Sequence, residues 1–91
     1  MMKKNKANSL TLAGLTRQAD ELKIALNDRT PENAPMLRAA ANKLTSDLWS
    51  LSGHQISKKE HFHTLQKKLA DAISFGRIQE AKDRLDELFA I

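Results

Sequence analysis

Cysteine is absent from all 91 residues, which removes disulfides, thiolate nucleophiles and thiolate metal sites at once. It also suits a reducing compartment. Tyrosine is missing too, and aromatic residues make up only 4% of the chain, with Trp49 the single tryptophan. β-branched residues are sparse and nothing alternates with period two, so the sequence carries no strand signal. Three isolated glycines cannot form a phosphate-cradling loop. No stretch approaches the roughly 20 apolar residues of a membrane-spanning helix. The start, MMKKNKANSLTL, is basic but lacks the continuous apolar run of a signal peptide. These absences point to a cytoplasmic chain.

What is present is helical. Leu12, Leu15, Ala19, Leu22 and Leu26 recur at steps of three and four. So do Leu37, Ala41, Leu44, Leu48 and Leu51, then Phe62, Leu65, Leu69 and Ile73, and finally Ile78, Ala81, Leu85 and Leu88. Such steps keep a narrow apolar stripe on one side of a helix. The expected fold is all-α: a small antiparallel bundle of four short helices, over about 9–28, 33–52, 57–75 and 77–90. Residues 1–8 are expected to form a flexible basic tail, and residues 9–91 a single helical domain.

The punctuation agrees with these boundaries. NDRTPENAP closes the first helix, with Pro31 in the turn, Asn33 as N-cap of the second helix and Pro35 in its first turn. Gly53 suits a helix stop. Ser57 followed by Glu60 is a capping box for the third helix. Continued at about 100° per residue, the third stripe misses the fourth by more than roughly 90°. One straight helix cannot turn both stripes to one core, so a break is expected at Ser74–Arg77. The alternative is three helices, the last one bent at Gly76. Gly76, followed by Gln79, Glu80 and Ala81, resembles the turn of a tetratricopeptide-type helical hairpin. The likeness implies a hairpin there and no function, because a solenoid needs repeats and this stretch does not recur.

Net charge is +4, and Lys3, Lys4 and Lys6 supply three of those charges. The rest of the chain is therefore only mildly basic, without the broad cationic face that neutralises many phosphates. If nucleic acid is bound, the contacts expected are Lys3, Lys4, Lys6, Lys58, Lys59, Lys67 and Lys68. A helix-turn-helix centred on Gly53 would place Trp49, His54 and Lys59 where small or apolar residues are wanted.

All three histidines lie in the stretch 52–69. His61 and His63 stand about 160° apart on a helix and cannot share a metal. Glu60 and His63 form a single Glu-x-x-His, where di-iron bundles need two and further glutamates. SLSG at Ser50–Gly53 lacks the strand and leading glycine of a nucleophile elbow. Neither catalysis, a metal nor a cofactor is expected.

Off-stripe apolar residues remain. Trp49 lies about 130° from the stripe of its helix, and Leu10 and Ile24 fall nearly opposite Leu15 and Leu22. They are either covered by a further helix or by the 27–35 connection, or they form a patch for a partner or a second copy. A lone tryptophan is a typical anchor for such a patch. The expected function is non-catalytic protein binding, as a small adaptor, inhibitor or regulatory subunit of the kind met in bacterial, phage or plasmid-encoded proteins. Partner-binding residues would be Trp49, Leu10 and Ile24. The alternatives are a nucleic-acid-associated accessory protein using the tail and the third helix, and a structural homodimer.

Overall fold

The computed structural model describes residues 11–52 and 59–90. Among them are four helices and no strand: α1 (Leu12–Leu26), α2 (Ala34–Leu51), α3 (Lys59–Ser74) and α4 (Ile78–Ala90). The expected stop at Gly53, the Ser57 half of the capping box, His54, Lys58, Leu10 and the tail residues Lys3, Lys4 and Lys6 lie outside the described residues.

Each helix buries its stripe because the stripe is its one continuous apolar surface. Leu15, Leu26, Phe62, Leu65, Leu69, Ile73, Leu85 and Leu88 are fully buried, joined by Leu22, Leu37, Leu44 and Leu48 and by alanines 19, 41, 72 and 81. Burying each large side chain contributes roughly 1.5–3 kcal/mol against leaving it in water. Sequential helices pack on one another, α1 on α2, α2 on α3 and α3 on α4, with a lighter contact from α4 back to α1. Two pairs of residues reinforce that last contact: the Lys23 ammonium meets the Asp86 carboxylate, and Lys82 donates to the Asn27 side chain at 2.7 Å.

Two expectations need correction. Leu12 is 57% exposed and not part of the core. It opens α1, and helical side chains lean toward the N-terminus, so its side chain projects past the end of the packed stripe. Asn33 does occupy the N-cap position of α2, its carbonyl accepting from the Leu37 amide at 3.0 Å, but its side chain makes no cap hydrogen bond to that helix. Its carboxamide oxygen accepts from the Thr30 amide at 2.7 Å, while Thr30 Oγ1 accepts from the Asn33 amide at 3.2 Å. This is the reciprocal geometry of a capping box set one turn earlier. The Ala34 amide donates to the Thr30 carbonyl, so the helical hydrogen bonding begins at Thr30 with Pro31 just inside it, the position proline prefers. On α4, Arg84 bonds Glu87 one turn on, at 3.0 Å.

The break between α3 and α4 falls where the stripe phases require it. Gly76 has φ +75°, a left-handed conformation natural to glycine. The Arg77 amide donates to Ala72 O at 2.8 Å and the Gly76 amide to Ile73 O at 3.3 Å. Together they make a Schellman stop. Arg29, from the α1–α2 connection, completes it: Nε donates to Ile73 O at 2.8 Å and Nη2 to Ser74 O. A cation against the C-terminal carbonyls of α3 meets the negative end of the helix dipole. Arg38 adds a hydrogen bond to Ser74 Oγ at 2.8 Å. The two connections, 27–33 and 75–77, are thereby held together at one end of the bundle.

Candidate protein-binding surface

Trp49 is partly buried. Its ring lies 5.3 Å from that of Phe62 and 5.6 Å from the His63 imidazole, both on α3. These ring contacts bring α3 over the indole. The reason is topological: α2 has a helix on either side, so it needs a wider apolar arc than its leucine stripe alone. Beside this aromatic contact sits the one buried polar side chain among the described residues, Thr45. Its hydroxyl bonds Ala41 O at 2.9 Å and accepts from Gln66 Nε2 at 2.7 Å. Gln66 Oε1 lies 3.3 Å from His63 Nδ1, so the exposed histidine is tied to the α2–α3 seam.

Ile24 is 67% exposed on α1. It stands about 100° round the helix from Ala25, while Trp49 stands about 140° round α2 from Leu44 and faces α3. Lys59, Lys67 and Lys68 are exposed on α3 and make no ion pair among the described residues. His61 is exposed, and among the described residues no three His, Asp or Glu side chains come together as metal ligands would.

The structure reveals a feature that the spacing of large residues does not announce. Between α1 and α2 runs an open groove of about 360 Å³, lined by Gln18, Glu21, Leu22 and Ala25 from one helix and Met36, Leu37, Ala40 and Leu44 from the other. Both helices contribute from the end beside their connection (Ala25, Met36) and from two turns away (Gln18, Leu44), as an antiparallel pair must. Leu22, Leu37 and Leu44 form a buried floor. The furrow stays open because Ala25 and Ala40 are too short to fill it. Met36 is 64% exposed at one lip. Glu21, at the other, makes no ion pair among the described residues. The signal in the sequence was the run of alanines 39–41, whose small size matters only once α1 is known to lie beside it.

No protein-family model, curated protein or solved structure matches the chain. Among the described residues, no helix is long and apolar enough to cross a membrane.

Proposed function

We propose that the protein is a non-catalytic protein-binding module, a small adaptor, inhibitor or regulatory subunit, and that its α1–α2 groove receives an apolar segment of its partner. The observation that carries this reading is the groove itself: a leucine floor, alanine walls and an exposed methionine at the lip. Grooves of this make suit an amphipathic helix or a protruding side chain, and methionine adapts its shape to either. Trp49 is engaged with Phe62 and His63 on α3, whereas the described residues leave the groove open. A cytoplasmic location belongs to the same proposal and suits the lack of cysteine.

The test is affinity capture from the native host with wild type, Met36→Glu and Ala40→Glu, both substitutions lying at exposed positions of α2. A protein retained by the wild type and lost by both variants, at unchanged melting temperature, supports the groove. Equal retention by all three overturns it. The second reading, nucleic-acid association, is favoured by the free lysines Lys59, Lys67 and Lys68. A gel shift at two salt concentrations, with and without residues 1–8, decides it, because phosphate contacts weaken steeply with salt. No specific shift is expected.

A further inference from the structure

We propose that the groove's occupant is a second copy of this chain, and that the two copies exchange Phe75: each seats its α3–α4 turn in the α1–α2 groove of the other. This rests on the groove being a binding site and names what fills it.

The α3–α4 turn supplies the knob. Phe75 is 69% exposed at the tip of the α3–α4 turn. It is not held loosely, because the next residue is fixed at φ +75° and Arg29 clamps the carbonyls just before it. A preformed turn loses little conformational freedom on docking, which is what separates an anchor from a stray apolar side chain. The Arg77 guanidinium lies 5.5 Å from the centroid of the Phe75 ring. Aromatic residues and arginine are the types that dominate interface energetics.

The hole matches it in size and charge. An apolar cavity of roughly 150 Å³ accepts benzene, so a groove of about 360 Å³ takes a phenyl ring between the alanine walls with space for Met36 to close over it. Its rim carries Glu21, a carboxylate without an ion pair among the described residues. The knob carries Arg77, whose own partner, Glu80, stands at a loose 3.8 Å. Phe75 in the groove brings arginine toward an unmatched acid.

Knob and hole lie at the same end of the bundle. Arg29 joins the two connections there, and Ala25 and Met36 flank the first of them. A two-fold axis at that end lets each copy offer its turn and accept its neighbour's, so the contact closes as a dimer.

Sedimentation velocity of the full chain over a concentration series tests the proposal. Wild type should sediment as a dimer that dissociates on dilution. Phe75→Ser, at an exposed position, should keep the wild-type helical circular dichroism, melt as wild type diluted to monomer does, and raise the dissociation constant by roughly tenfold or more. Arg77→Glu and Glu21→Arg should each weaken the dimer, and the two together should restore it. A wild type that stays monomeric throughout overturns the proposal and leaves the groove to a different protein. A dimer that survives Phe75→Ser but yields to Met36→Glu also overturns the exchange, while retaining the groove as the binding surface. A dimer indifferent to both substitutions overturns both.

Discussion

Replacing Gly76 with alanine should destabilise the fold by about 2–3 kcal/mol, through two effects that can be separated. The first is local. An L-residue in the left-handed region costs roughly 1–2 kcal/mol, against which the stiffer unfolded chain returns about 0.4–1 kcal/mol. The second is long-range. A Cβ at position 76 would stand 3.2 Å from Arg29 Nη1, so the guanidinium must shift. That guanidinium donates to Ile73 O and Ser74 O, and hydrogen bonds from charged groups contribute about 1.5–3 kcal/mol each. Arg29→Ala alone should cost about 2–4 kcal/mol, less than two such bonds at full strength, because Ile73 O keeps the Gly76 amide and the site is only partly buried. With Arg29 already removed, Gly76→Ala should cost only its local part, about 1 kcal/mol. Urea unfolding followed by circular dichroism gives all four corners of the cycle, provided the slope of free energy against urea stays constant. The reasoning is refuted if the two substitutions add within about 0.5 kcal/mol, as independent sites do, or if Gly76→Ala alone is neutral.

Leu44→Ala and Leu69→Ala, at positions 3% and 1% exposed, should each cost about 2–5 kcal/mol by leaving a cavity. In a domain this small that is much of the total stability, and near-wild-type thermal melting of either would contradict the core assignment. Trp49→Ala should destabilise by about 2–3 kcal/mol, less than a fully buried aromatic, because it removes the contact with Phe62 and His63 from the α2–α3 seam. Its fluorescence should accordingly be only partly accessible to iodide. Quenching as complete as that of a free indole would place the ring in solvent instead.

How much of this was legible in advance depends on how local the cause is. The four stripes could be read because a leucine every three or four residues is a property of the helix that carries it. The break at Gly76 could be read because a phase mismatch between neighbouring stripes is arithmetic. Thr30–Asn33 left a faint trace, a threonine three residues ahead of an amide side chain with proline between them, but Asn33 beside Pro35 offered the more familiar cap. Arg29 left none, since its two carbonyl partners lie 44 and 45 residues away and no periodicity links a loop cation to another helix's end. Trp49 was ambiguous for a different reason. Its distance from the stripe was clear, but whether α2 has one neighbour or two is not written in α2. The groove was hidden for the same reason: two alanines make a furrow only when set opposite each other.

The clamp on the α3–α4 turn has an evolutionary consequence. Positions 29 and 76 belong to different hairpins and lie far apart in sequence, yet they press on one small volume: a Cβ at 76 would stand 3.2 Å from the guanidinium, which would have to give by a few tenths of an ångström. Neither position drifts without cost while the other stays. A lineage that loses the glycine should first or simultaneously lose the arginine, and then need another donor for the carbonyls of Ile73 and Ser74. A lineage that keeps arginine at 29 should keep glycine at 76, even where the leucines around both have been exchanged for other apolar residues. In related sequences the two positions should vary as a pair, and that correlation would record the tie between the hairpins without any structure being solved.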